Sequence, residues 1–485
     1  MSPEQSLTLD KQDRDDFSTL TAQESHTIEG QILKMKMIGE IIDRRFEVKR
    51  EAVKRQLSVG SDLDDDALDK AVDASFQKIH VTSRDIGDGR FNLIVEKGDD
   101  AESDDLDESL FRMMIPAHVD TVDSDAPTIL ETKNDQITGQ GVFDMGAAVL
   151  NNIALAVDTQ VPKGMKVYFV FTADEEMHSS GAKNITEWSI FPSINCVLSS
   201  EIGPVKTPLP TENGRMRIIT ARTGRLKLLA KVKLDPGSQG HGAEDHLPSA
   251  GGALRKLQNL IYERFDEGYV STEGNKNESP QKRSHDLLPM EKIEDGDYFA
   301  RKSRKRMGYM NTNEARWEFS IRMVPPSTTA EYLQHFERWT RGIDKREDWR
   351  QRGVIVTMEQ NKLLPKAQPS DAPEFLASYS PYEMPADHPF VFITSNVLRR
   401  LSGVAPEIIG AKSVADECVY AETMLGQRHS FADLNKGIVT IPINGDGAHT
   451  PEEWVSQTSI LQVRRAILAL IEDEDGFRSL LRKGV

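Results

Sequence analysis

Three short apolar runs constrain this chain more than any other feature. They read "FRMMIPA" (111–117), "KVYFVFTA" (166–173) and "INCVLSS" (194–200). Continuous apolar stretches of this length are strands buried on both faces. Helical segments such as "MGAAVLNNIALAV" (145–157) separate them, and "GIVTIPING" (437–445) adds a later run of the same kind. Buried strands alternating with helices indicate an α/β class, a mostly parallel sheet flanked by helices.

In an open sheet of that class the carboxyl ends of the strands share one edge, where ligands bind. Each run here ends in a potential ligand. The first leads into His118-Val119-Asp120, the second into Asp174-Glu175-Glu176, the third into Glu201, and the last into His449. A fifth candidate, Asp144, stands at a helix start in "GQGVFDMGAA". Taken singly, each has a plain explanation: a surface histidine, a helix cap, a solvated acidic turn. Together, two histidines and three carboxylates (Asp144, Glu176, Glu201) suit divalent zinc chemistry. Asp120 would then take the free ring N–H of His118 and fix its tautomer.

At 485 residues, two or three cores are expected. The net charge of -17 argues against a nucleic-acid partner, which needs a basic face. Two cysteines, Cys196 and Cys418, favour a reducing compartment over a disulfide framework. No apolar stretch is long enough to span a bilayer, and "MSPEQSLTLDKQDRDD" lacks the apolar centre of a signal peptide, so a cytoplasmic protein without a membrane partner is expected.

Residues 1–20 are polar and expected to be disordered, with helices beginning in "GQILKMKMIGEIIDRRFEVKREAV" (30–53). After Pro210 the pattern shifts to "RMRIITARTGRLKLLAKVKL" (215–234), which alternates like an antiparallel pair around Thr223-Gly224. A helix, a polar insertion near 266–308 and the strand "ARWEFSIRMVP" (315–325) follow. The expected layout is a catalytic domain in two parts, 1–213 and 331–485, with an α+β domain inserted at 214–330. Thr450, Pro451 and Glu453 read as a capping box opening the last helix.

These motifs resemble the M20 family of metallopeptidases and amidohydrolases, from about His118 to Trp454. The family includes carboxypeptidases, dipeptidases, aminoacylases and N-acyl-amino-acid deacylases; the resemblance is to the group of acetylornithine deacetylase, succinyl-diaminopimelate desuccinylase and carboxypeptidase G2. It implies two divalent metal ions, zinc first and cobalt or manganese as alternatives. His118, Asp144 and Glu201 would hold one and Asp144, Glu176 and His449 the other, with Asp144 bridging. Glu175 would be the general base and Asp120 the support of His118. The inserted domain would act as lid and dimerisation unit, giving a homodimer that acts on a small molecule or short peptide.

The chain departs from the family pattern in three places. The segment that usually reads Asp-x-Arg-x-x-Pro is here Ser320 to Pro325; Arg322 is kept as a substrate-carboxylate clamp, while the aspartate is not. For the lid histidine that serves the oxyanion, "QGHGAEDHLPSAGGAL" offers His241 or His246, and His241 is preferred because it follows glycine. The segment "AKSVADECVYAE" matches the glycine-rich pocket motif only in part. The leading expectation is hydrolysis of an N-acyl amino acid or a C-terminal peptide bond. An aminopeptidase or dipeptidase is the alternative within the family, and a catalytically silent scaffold the alternative outside enzymes.

Overall fold

The computed structural model describes residues 9–23, 25–59, 64–75, 77, 79–98, 110–122, 131–202, 215–234, 250, 253–254, 256–257, 260, 293–298, 314–323, 325, 329–346, 354–360, 379–411, 413–425 and 434–481. The chain divides into two compact units, Met1–Thr220 with Met384–Val485, and Ala221–Glu383.

Strands are numbered in chain order. The first eight are β1 (Ile79–Gly87), β2 (Arg90–Gly98), β3 (Phe111–His118), β4 (Glu131–Lys133), β5 (Gln136–Thr138), β6 (Met165–Thr172), β7 (Cys196–Ser199) and β8 (Arg217–Arg222). Then come β9 (Gly224–Leu234), β10 (Ile293–Tyr298), β11 (Glu314–Met323), β12 (Val354–Gln360) and β13 (Tyr382–Glu383). The last four are β14 (Glu407–Ala411), β15 (Gly437–Thr440), β16 (Gly445–Asp446) and β17 (Trp454–Ser456).

In the first unit the main sheet runs β1-β2-β6-β3-β7-β15-β8, with β14 also beside β8. Its centre is parallel: β3 pairs in parallel with β6 and β7, and β15 with β7. Strands β1 and β2 extend it in antiparallel fashion. Every residue of β3 is buried, which is why its sequence shows no polar alternation. The helix Ala147–Asp158 packs over this layer, against the helices Ile28–Ser58 and Gln457–Glu472. It is buried from Ala147 to Val157, so it too is apolar on all sides. A small antiparallel sheet, β16-β17-β5-β4, ties residues near 136 to residues near 455, with Trp454 opposite Thr138.

Two expectations fail here. Of the stretch 1–20 expected to be disordered, the part from residue 11 belongs to a helix, Lys11–Ala22, capped by Asp10, while residues 1–8 lie outside the described residues. Phe17 and Leu20 are buried, and the buried Asp13 meets Arg45 (2.9 Å) and Arg464 (2.7 Å). Asp16 pairs with Arg44 and Arg45. The polar residues that suggested disorder are therefore matched to cations from two other helices. The capping box at Thr450 is also absent. The last helix starts at Gln457, and Ser456 caps it by accepting the N–H of Ser459 (3.1 Å).

The second unit carries an antiparallel sheet, β10-β11-β9-β12. Leu226, Leu228, Ala230 and Val232 of β9 form its core with Ala253, Leu254, Leu257, Phe336, Val354 and Met358. The expected boundary at 330 is thus too early: the helix Thr329–Arg346 and β12 contribute to this core, and the unit runs to Glu383. The proposed hairpin at Thr223-Gly224 does not form. Strand β9 takes β11 and β12 as partners, and β8 takes β15. One residue between strands leaves no room for a two-residue turn. Among the described residues, no helix is long and apolar enough to cross a membrane, and both cysteines are free and buried.

Candidate active site

Parallel register places His118 at the end of β3 opposite Thr172 at the end of β6. The pairing continues one step further, where the Val119 N–H donates to the Thr172 carbonyl (2.8 Å). Asp120 follows, and its carboxylate accepts the backbone N–H groups of Glu175 (3.1 Å) and Glu176 (3.0 Å). One strand end therefore fixes the acidic turn of the next. Glu201 leaves β7 on the same edge. Asp144 enters from a kinked turn, Val142–Gly146, whose backbone is non-helical at Asp144 and Met145, and His449 from the loop between β16 and β17. The small sheet brings these two segments together.

Asp144 is the centre of the cluster. Its Oδ1 lies 3.0 Å from His118 Nε2, and its Oδ2 lies 3.0 Å from His449 Nε2. His118 Nε2 is also 3.7 Å from Glu201 Oε2, and His449 Nε2 is 3.2 Å from Glu176 Oε2. Two groups result, His118-Asp144-Glu201 and Asp144-Glu176-His449. Donor atoms bound tetrahedrally at zinc distances stand roughly 3.4 Å apart, so this spacing suits such an ion. The ligand atoms of His118, Asp144 and Glu176 fall within 4.8 Å of one another. Glu176 Oε1 is buried and has no hydrogen-bond partner. The donor set and this open oxygen fit divalent cations.

The backbone is strained where these groups meet. Asp174, Ser179 and His449 have positive φ angles of 70°, 51° and 66°. Non-glycine residues adopt this region only when their surroundings hold them there. Asp174 is held by Arg90 (2.9 Å) and by the Ser180 hydroxyl. Its carboxylate also lies 3.4 Å from His178 Nδ1.

Burial lowers the His118 ring's proton affinity, yet Asp144 and the nearby Glu201 and Glu175 hold it well above its ordinary value. Asp144 and Glu176 raise His449 to about 10. Burial resists ionisation of Asp144, but its two histidine contacts overturn that and hold its carboxyl low. Glu175 is pushed well above the usual carboxylate range by burial, and Glu176, Asp416 and Glu201 add to the shift. A carboxyl so placed can carry a proton at neutral pH.

His118 Nδ1 lies 3.1 Å from the Asp120 carbonyl and 3.7 Å from its carboxylate, which is engaged with the acidic turn. Arg322 lies in β11, opposite Arg225 of β9. His241 and His246 lie outside the described residues.

Two residues escaped the sequence reading. Glu453, read as a cap, is buried and accepts N–H groups from Gly141 (2.8 Å), Phe143 (2.8 Å) and Asp144 (2.9 Å). Burial pushes its carboxyl up to about 7. The turn it grips needs glycine at 141, with φ 66° and Thr121 Cγ2 only 2.4 Å from where a Cβ would stand. Asp416 accepts the Thr172 hydroxyl (3.1 Å) and is pushed up to about 7, chiefly by burial. It sits in the segment that matched its expected motif poorly, so no spacing pointed to it.

The model of "Peptidase family M20/M25/M40" matches residues 114–473. No curated protein shows significant sequence similarity to the chain. Among solved structures, the dipeptidase Dug1p of Saccharomyces cerevisiae is similar at 12% identity, with 94% of each chain covered and a TM-score of 0.57. A Staphylococcus aureus tripeptidase is similar at 14% identity, covering 97% of this chain and 99% of its own, with a TM-score of 0.56. The YXEP protein of Bacillus subtilis, described as a dinuclear metal-binding peptidase, is 13% identical over 96% of this chain and 100% of its own, at a TM-score of 0.51.

Proposed function

The chain belongs to peptidase family M20/M25/M40 and is a hydrolase of amide bonds, and on that premise we propose that it uses two divalent cations, zinc by preference, to cleave an amide beside a free carboxylate. Its substrate would be an N-acyl amino acid or a peptide cut at its C-terminal residue. The observation that carries this is the division of the Asp144 carboxylate, one oxygen toward His118 and the other toward His449. A monodentate site would leave the second oxygen for a hydrogen bond; here it faces a second set of ligands.

His118 and Glu201 complete one set, and Glu176 and His449 the other. When bound, such a cation pair acidifies water and polarises a carbonyl. Glu175 takes a proton from the attacking water on its carboxylate and returns it to the leaving nitrogen. Asp120 keeps Glu175 and Glu176 in register through their backbone N–H groups. Arg322 grips the substrate carboxylate with its guanidinium fork. His241 is the residue that the family resemblance offers for the oxyanion. The assembly is a homodimer formed by a sheet edge of that unit; among the described residues β12 stands at the end of the sheet, and such edges invite a partner strand.

The test is a panel of N-acyl amino acids, dipeptides and amino-acyl amides, assayed with added Zn2+, Co2+ or Mn2+. Preferential turnover of compounds with a free α-carboxylate supports the proposal. Preference for free amines with blocked carboxyl termini would replace it with the aminopeptidase reading, and no turnover with any of them with the scaffold reading.

A further inference from the structure

A small cavity in the first unit has no part in the hydrolytic reading. Its oxygen-bearing lining is Ser199, Glu201, Asp416, Glu417 and Tyr420, with His118 beside them. Neither Asp144, Glu175, Glu176 nor His449 lines it, so it lies behind His118 and Glu201 rather than between the two ligand sets. At about 10 Å3 it has the room that about one water needs.

The helix Asp416–Leu425 supplies three of the lining groups. Two of them are tied to strand ends. Asp416 Oδ2 accepts the Thr172 hydroxyl (3.1 Å) at the end of β6, and Glu417 Oε1 accepts the Thr440 hydroxyl (2.9 Å) at the end of β15. The other oxygen of Asp416, Oδ1, is buried and has no hydrogen-bond partner. The same holds for the hydroxyl of Tyr420, one helical turn further along the same face. Asp416 is 5% exposed and Tyr420 0%. A buried polar atom without a partner costs free energy, so two of them on one cavity mark a place that a ligand completes.

The lining decides what kind of ligand. Three carboxylates border the space, those of Glu201, Asp416 and Glu417, and a water has only two hydrogens to give. The Ser199 hydroxyl oxygen already accepts the Glu201 N–H (3.1 Å). Oxygen-rich sets of this kind take hard cations. Mg2+ keeps several waters of its own, for which this cavity has no room. A bare alkali ion is close to a water in size.

We propose that the cavity binds one dehydrated alkali cation, held by Asp416 Oδ1, Tyr420 Oη and the Glu417 carboxylate. The ion ties the helix Asp416–Leu425 to the sheet directly behind His118 and Glu201. None of these three holding residues belongs to the two ligand sets assigned above, so the site stands whether or not the two-cation function does.

The full chain, in excess chelator and at mildly alkaline pH, is melted in NaCl, KCl or choline chloride at equal ionic strength. The chelator removes divalent ions, so hydrolysis plays no part in the readout. Tm rises by about 1–3 °C with NaCl or KCl over choline and saturates, as binding to the folded state requires. The salt with the larger rise identifies the ion. Asp416→Asn abolishes the rise, and Tyr420→Phe, which deletes one neutral ligand, shifts its midpoint to several-fold higher salt. If Asp416→Asn does not fold, Tyr420→Phe is read alone. His449→Ala, which alters the divalent cluster instead, keeps the rise. Equal Tm in all three salts would leave the cavity to a water and overturn the proposal. A rise that persists unshifted in the Asp416 and Tyr420 variants, or that disappears in His449→Ala, would overturn it by placing the ion elsewhere.

Discussion

The carboxylate of Glu453 accepts the backbone N–H of Asp144 at 2.9 Å, joining residues 309 positions apart. The same side chain takes two more N–H groups from that turn, so a single acid fixes the backbone that carries the central ligand. Glu453→Gln offers one acceptor oxygen and a clashing amide to three donors. An orphaned buried N–H costs about 1–3 kcal/mol, so metal-free protein should lose that much in denaturant unfolding. Metal affinity should fall with it. Unchanged stability would show that the turn is held by something else.

Glu175→Gln should leave fold and metal content intact while lowering kcat by orders of magnitude, because only the proton transfer is lost. Glu176→Gln should lose metal. Equal metal loss in the two variants would show that their roles are not divided in this way.

A bridging carboxylate touches both cations, and His449 only one. Asp144→Ala should therefore retain less metal after dialysis than His449→Ala, as read by elemental analysis. Equal losses of a single metal would remove the bridge.

The metal-free protein should lose stability as pH rises from about 5 to 8. Folded Glu453 and Asp416 hold their protons up to about 7, so between their unfolded values and 7 the folded state binds more protons. His449, raised to about 10, contributes stability that is full below its unfolded value and fades as pH rises toward 10. All three effects carry the same sign in this window. Added divalent metal should flatten the trend, since cations replace those protons. A metal-free Tm that climbs from pH 5 to 8 would contradict it.

Arg322→Lys should weaken kcat/KM on carboxylate-bearing substrates by about 1.5–3 kcal/mol and leave amidated ones nearly untouched. An equal effect on both would show that Arg322 does not read the carboxylate.

Much of this site was legible because strand ends carry it. Runs such as "FRMMIPA" announce buried strands, parallel order aligns their carboxyl ends, and His118, Glu176 and Glu201 follow directly. Asp144 and His449 were visible only as a helix start and the end of a later apolar run, since the small sheet of two- and three-residue strands that brings them together leaves no periodic trace. Glu453 looked like a cap because T-P-E-E is a helix-start pattern, while the backbone donors it serves are 309 positions or more away. The second unit's end at Glu383 was missed for a similar reason. The sequence of the helix Thr329–Arg346 shows an amphipathic face but not the sheet it covers.

The most direct test of the account is stepwise addition of Zn2+ to metal-depleted wild-type protein while hydrolysis of an N-acyl amino acid is followed. The account predicts no turnover without metal and activity that saturates at two equivalents per chain. Hydrolysis that persists in excess chelator, or saturates at one equivalent, would contradict it.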